Sequence, residues 1–290
     1  MLNTPSSELI LNADGSIYHL HLQPEQLADT VITVGDPDRV EMVSKHFDRI
    51  EHRVQKREFV THTGYIGTKR ITVISTGIGP DNIDIVFNEL NLLRNFNFRD
   101  KTFNPVLKPL TIVRFGTSGC IQKDIPVDSF VASAFGVGID NVLHFYQFKN
   151  TPEETELCER FKMHCYFHHT IHPYTFKANA DLLNKTGQEF IKGITLTAPG
   201  FYAPQGRQIG FSVSHPQFYD DIRTFNHEGN RITNIEMETA AMYGLASVLN
   251  HHCLSLNVLL ANRATGAFSA DPKAATEKLI VHGLNFIAGL

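Results

Sequence analysis

The feature that most constrains this chain is a recurrence of short, β-branched apolar runs that each end in glycine. Val31–Val34 meets Gly35, Ile71–Ser75 meets Gly77 and Gly79, and Leu110–Phe115 meets Gly116 and Gly119. Short apolar runs closed by glycine read as strands covered on both faces. Ser129–Ala134 and Ser255–Leu260 have the same composition, while Asn82–Phe96 and Glu238–Leu249 between them carry helical spacing. Strands alternating with helices call for α/β architecture with a largely parallel sheet. In such sheets ligands bind beyond the carboxyl ends of the strands, where these glycine turns gather. Neither STGIGPDN nor GVGIDN completes G-x-G-x-x-G, so the dinucleotide fingerprint is absent.

The 290 residues contain no linker of Pro/Gly/Ser composition and no repeat, so one domain, 1–290, is expected. Lys101–Pro109 and Gln147–Pro173 are polar and irregular and read as insertions within it. A net charge of −4 without a long basic run argues against general nucleic-acid binding. Cys120, Cys158, Cys165 and Cys253 are too scattered for a disulfide framework and suit a reducing compartment. The opening MLNTPSSELILNADGSIYHL has neither the basic start nor the apolar core of a secretory leader. No apolar run approaches the ~20 residues that span a bilayer. A cytoplasmic protein with neither nucleic-acid nor membrane partners is the expectation.

Charged residues at the strand ends supply the chemistry. Asp36-Pro37-Asp38 starts a helix, and Arg39 follows in its first turn, where the positive end of the helix dipole disfavours a cation by roughly 0.3–1 kcal/mol. An anion at that helix start gives the arginine a purpose; a solvated Arg39 is the alternative. Arg114 ends LTIVRFGTSG, with Thr117 and Ser118 offering donors in the following turn; it either meets the same anion or pairs with a carboxylate. Glu236 and Glu238 lie two apart before a helical segment, and in extended backbone they share a side. They either hold a vicinal diol or complement the helix dipole. In GFYAPQGRQ, Gln205 and Arg207 match the donor and acceptor edge of a uracil, with Phe201 to stack on it, although an ordinary surface loop reads the same way. CERFKMHCYFHHTIHPY (Cys158–Tyr174) is rich in histidine and cysteine but lacks the paired spacing of a zinc site, so no metal is expected there.

In order along the chain, YHLHL, VGDPDRV, REF, STGIG, RFGTSG, FYAPQGR, NIEMET and ANR resemble the nucleoside phosphorylase family, and within it the uridine phosphorylases. The resemblance implies a single-domain three-layer sandwich with a central mixed sheet flanked by helices. It implies a pentosyltransferase of pyrimidine salvage that converts uridine and phosphate to uracil and ribose 1-phosphate, with phosphate as co-substrate and no cofactor. Carried over by position, Gly35, Arg39, Arg114 and Thr117 would bind phosphate, with Arg57 reaching the phosphate of a neighbouring subunit. Glu236, Met237 and Glu238 would hold the ribose, and His19 would approach its 5′-hydroxyl from the partner chain. Phe201, Gln205 and Arg207 would recognise uracil, and Arg207, Gln205 and Arg114 would carry catalysis. Self-association follows, as a dimer or a trimer of dimers.

Pro80-Asp81-Asn82 stands where well-known bacterial members carry Gly-Pro-Ser, so a monovalent-cation site is left open. Purine members use an aspartate after the last central strand; here Asn262-Arg263 follows it, with no acid before Asp271. A nucleosidase needs no phosphate arginines. From a different class, a non-catalytic nucleoside- or phosphate-binding protein is the alternative, and the Glu236/Glu238 pair together with the Gln205/Arg207 loop argues against it.

Overall fold

The computed structural model describes residues 7–290; the first six residues, part of the segment read as lacking a leader, lie outside the described residues. The chain enters through β1 (Thr30–Val34) and α1 (Pro37–Ser44), then runs up and down through β2 (Arg49–Lys56), β3 (Phe59–Ile66) and β4 (Lys69–Ser75). Helix α2 (Pro80–Asn95) and a small hairpin, β5 (Phe96–Asn97) and β6 (Thr102–Phe103), lead to β7 (Thr111–Cys120) and β8 (Phe130–Gly138). Next come α3 (Pro152–His164), β9 (Tyr174–Lys177), α4 (Ala180–Asn184) and β10 (Phe190–Thr197). The last third holds α5 (Phe218–Thr224), β11 (Asn226–His227), β12 (Asn230–Glu236) and α6 (Thr239–Val248), then β13 (His252–Asn262), β14 (Ala267–Phe268) and α7 (Pro272–Ala288).

The main sheet runs in the order β11-β12-β10-β8-β13-β7-β1-β4-β3-β2. Its centre is parallel, as the strand-and-helix alternation requires: β1 pairs with β4 and β7, and β13 with β7. The sheet as a whole is mixed rather than largely parallel. β2, β3 and β4 form an antiparallel meander, and β13 runs against β8. β7 also pairs with β12, Gly119 opposite Ile235 and Cys120 opposite Asn234. That pairing closes β12, β10, β8, β13 and β7 into a ring and brings the end of β12 beside β7. Every residue of β1 is buried, whereas β2, at the edge, alternates between exposed and half-buried.

Helices cover both faces. Arg114 and Ser255 are register partners, and Ser255 bonds to Thr239 of α6. The next residue, Phe115, points the opposite way, where a Cβ on Gly283 of α7 would lie 2.4 Å from its ring. So α6, packed against α2, lies on one face and α7, packed against α1, on the other. Leu279, Ile280, Leu284 and Ile287 of α7 are buried there, each contributing roughly 1.5–3 kcal/mol.

Three local expectations need correction. β7 does not end at Phe115: Gly116, Thr117, Ser118 and Gly119 continue the strand, held between β13 and β12, so the third glycine turn is strand. Gln147–Pro173 is not irregular, because it contains α3. There Thr151 Oγ1 accepts from Glu154 N–H at 3.3 Å and Glu154 Oε2 accepts from Thr151 N–H at 2.7 Å, a capping box. Leu157, Cys158 and Phe161 of that helix are buried. Lys101–Pro109 includes β6, where Phe103 packs edge-on against Phe96 at 5.1 Å.

Candidate active site

Beyond the carboxyl ends of β1 and β12, and along the second half of β7, lies a cleft of about 760 Å³. α1 opens beneath it as its sequence dictates: Asp36 caps the helix by accepting from Asp38 N–H at 3.0 Å, and Pro37 fills the first turn. Arg39 is thereby turned into the cleft, where its Nη1 donates to Phe115 O at 3.3 Å. Loss of water, and then the charge of Arg114, bring its pKa down to about 10. Two guanidiniums that repel across one cleft are a place for an anion.

Arg114 reaches the cleft from mid-strand and is 3% exposed. Its Nη2 donates to Glu238 Oε2 in a close ion pair, and its Nε lies 3.6 Å from Glu236 Oε2. Nε and Nη1 are buried without a hydrogen-bond partner. An unpaired buried donor costs on the order of 1–3 kcal/mol, and more when it is charged, so an acceptor entering the cleft beside Arg114 is stabilised. Thr117 and Ser118 line the same wall, and Asn234 Nδ2 donates to Ser118 Oγ at 2.9 Å.

The two glutamates do not act alike, because the backbone bends at Glu238 (φ −139°, ψ −33°). Glu236 turns toward the start of α6. It accepts from Glu238 N–H at 3.1 Å, Thr239 N–H at 3.0 Å, Thr239 Oγ1 at 2.9 Å and Thr197 Oγ1 at 2.7 Å. It therefore caps the helix, the alternative role read from the sequence. Burial first, and the neighbouring Glu238 second, push its pKa up to about 7 against the pull of Arg114. Glu238 instead accepts from Gly79 N–H at 2.8 Å and from Arg114. Both carboxylates and Met237 border the cleft.

The opposite wall is the loop of Phe201, Gln205 and Arg207. Arg207 Nη1 donates to Phe201 O at 2.5 Å and Gln205 Oε1 at 2.6 Å, and its guanidinium stacks 3.8 Å above the Phe201 ring. Gln205 is 3% exposed whereas Phe201 is half exposed. Arg263 holds the loop from behind: its Nη1 donates to Gln205 O at 2.5 Å, and it stacks on Tyr219 at 4.3 Å. Burial, then the charge of Arg263, lowers the Arg207 pKa.

The cleft thus gathers Gly35, Arg39, Arg114, Thr117, Phe201, Gln205, Arg207, Glu236, Met237 and Glu238. His19 and Arg57 are not among its lining residues. Arg57 sits exposed at the β2–β3 turn with φ 54°, and His19 Nδ1 is 2.6 Å from Glu89 Oε1. The sequence reading did not assign Glu58, Asn82 and Phe268 to the cleft, although Glu58 stands in the REF motif and Asn82 follows the STGIG turn; nothing local marks Phe268. Arg263 was visible only as part of the ANR motif. Among the described residues, no group of three or more His, Cys, Asp or Glu is placed to hold a metal ion. In the histidine-rich segment, Cys165 is buried, which pushes its thiol up to about 12, while His164 Nε2 lies 3.0 Å from Thr224 Oγ1.

Comparison with known proteins places this geometry. The chain is similar to a uridine phosphorylase of Thermococcus kodakarensis, 27% identical over 267 residues, covering 91% of this chain and 83% of that protein. A DeoD-type purine nucleoside phosphorylase of Colwellia psychrerythraea is 24% identical over 259 residues, covering 89% and 92%. The crystal structure of a Trypanosoma brucei nucleoside phosphorylase, described as showing uridine phosphorylase activity, superposes with a TM-score of 0.89 at 26% identity. It covers 97% of this chain and 100% of that one. The model of the phosphorylase superfamily matches residues 29–282, and the chain belongs to that superfamily as a nucleoside phosphorylase.

Proposed function

We propose that this chain is a uridine phosphorylase, which cleaves uridine reversibly with inorganic phosphate to uracil and ribose 1-phosphate. The observation that carries the reading is the convergence of Arg39 and Arg114, the latter with unpartnered donors, on the cleft that also holds Glu238 and the Gln205/Arg207 loop. A nucleosidase, which attacks with water, has no need of that pair of cations.

In this reading Gly35, Arg39, Arg114 and Thr117 hold phosphate beside the anomeric carbon, which makes attack effectively unimolecular. Glu238 accepts from the ribose hydroxyls, and Met237 packs against the sugar. Glu236 acts one step back, holding the start of α6 so that Glu238 faces the cleft. A phosphate oxygen forms the new bond to C1′ as the C1′–N1 bond breaks, and the electron pair leaves with uracil. Uracil N1 takes up a proton as the hydrogen phosphate gives one up on becoming the ester dianion. Arg207 and the amide of Gln205 stabilise the negative charge that develops on the uracil carbonyls. To do so Arg207 exchanges Gln205 Oε1 and Phe201 O for the base, while the exposed Phe201 ring stacks on it. No metal or organic cofactor enters these steps. His19 and Arg57, away from this chain's cleft, are assigned to a neighbouring subunit's site, so the working unit is a self-associated, cytoplasmic enzyme.

The absence of an acid between Asn262 and Asp271 favours uracil over a purine base. The test is turnover of uridine and of inosine at equal concentration in phosphate buffer. The reading expects uridine to be consumed much faster; preferential cleavage of inosine overturns it.

A further inference from the structure

One buried polar group beside Arg114 has no part in the chemistry above. Asn257 lies in β13, in register with Gly116 of β7 and two residues along from Ser255, the register partner of Arg114. It is fully buried, and its Oδ1 has no hydrogen-bond partner. Arg114 Nε and Nη1 are unpartnered as well. The two groups meet over Gly116: a Cβ built there would lie 2.4 Å from Asn257 Oδ1 and 2.8 Å from Arg114 Nε. The missing side chain at position 116 leaves open the space that this acceptor and this donor both border, and the two are not hydrogen-bonded to each other.

The direction of the amide follows from hydrogen-bond polarity. In the ionised form, which prevails at pH 8, Glu236 can only accept, so Thr239 Oγ1, 2.9 Å from its Oε2, donates to it. With that proton committed, Ser255 Oγ, 2.8 Å away, must donate to Thr239. Ser255 Oγ in turn accepts from Asn257 Nδ2 at 3.0 Å. The NH₂ end of the amide is thus fixed on Ser255, and the oxygen is left for Arg114. A chain of three hydrogen bonds from Glu236 orients an acceptor toward the cation of the cleft.

We propose that Asn257 is a positioning residue for Arg114. When an anion draws the guanidinium off Glu238, Asn257 Oδ1 accepts from Nε and holds the group so that Nη1 and Nη2 face phosphate. The proposal rests on the cleft being a phosphate and nucleoside site. It involves an exchange of hydrogen bonds only, with no bond made or broken.

The test combines calorimetric titration of the full chain with inorganic phosphate and phosphate saturation of uridine turnover. Asn257→Leu keeps the volume and removes the acceptor. It should weaken phosphate about tenfold by both readouts, the size of one hydrogen bond to a charged group, while the uridine KM moves less than twofold. Should that variant fail to fold, Asn257→Asp decides: its carboxylate competes with the anion for Arg114, so phosphate binding at pH 8 should weaken at least as much. An unchanged phosphate constant in a folded variant, or phosphate and uridine constants raised by the same factor, overturns the proposal. If the wild-type chain binds phosphate but does not cleave uridine, the uridine reading fails while calorimetry still decides the role of Asn257. If it binds no phosphate, both fail.

Discussion

Replacing Arg114 by methionine removes the counter-charge of a buried carboxylate pair and keeps most of the side chain's bulk. Arg114 is 3% exposed, Glu238 4% and Glu236 5%, so with methionine filling most of the arginine's place both carboxylates stay largely shielded from water. Breaking a buried ion pair by deleting one partner costs about 3–5 kcal/mol, much of it from the charge left behind. That residual charge makes the cost depend on pH. Without Arg114 the folded pair takes up a proton more readily than the unfolded chain does, so stability is retained at low pH and lost as pH rises. Urea unfolding at pH 5 and pH 8 should therefore show a small deficit at pH 5 and most of the 3–5 kcal/mol at pH 8. Adding Glu238→Gln removes one of the stranded charges and should recover about half of the pH 8 deficit, although phosphate-dependent turnover stays lost in both variants. A deficit equal at the two pH values, or a double variant no more stable than the single one, would refute the electrostatic reasoning.

His251 is buried, with Nδ1 accepting from Leu110 N–H at 3.2 Å, and burial brings its pKa down to about 4. A histidine depressed in the folded state loses stability as pH falls from ~6.5 toward 4, so about 2 kcal/mol should disappear between pH 7.5 and pH 5; His251→Asn, which keeps an acceptor but cannot protonate, should flatten that slope in a denaturation series. Arg207→Ala should lower kcat/KM for uridine by ~10²-fold or more, the scale of one preorganised donor, and leave phosphate binding measured by calorimetry unchanged. Gly116→Ala drives a methyl between Asn257 and Arg114 and should lower both Tm and phosphate affinity. Gly119→Ala, with nothing within 4 Å of the new carbon, should leave Tm where it is.

The sequence shows the centre of this fold because the centre is made of local signals. β1, β4 and β7 lie side by side in the sheet, and each apolar run that marks them is buried on both faces. Chain order alone does not contain the pairing of β7 with β12, so RFGTSG reads as a turn although its glycines lie in a strand. α3 was legible in principle, since Thr151-Pro152-Glu153-Glu154 is a helix-start pattern, but its polar composition obscured the buried Leu157 and Phe161. The same division holds for the cleft. Arg39 and Arg114 stand out because a cation at a helix start or inside an apolar run calls for a partner. Glu236 and Glu238 were visible as a pair, whereas their division into a helix cap and a cleft-facing acceptor depends on one backbone bend. Asn257 sits in an apolar strand with no local motif, and its importance emerges only once Gly116 is placed opposite it.

The account is tested most directly by following uracil release from uridine with purified protein, with and without inorganic phosphate. It predicts release only when phosphate is present, with ribose 1-phosphate formed in equal amount. Uracil released at the same rate without phosphate would make the enzyme a hydrolase and contradict the role given to Arg39 and Arg114.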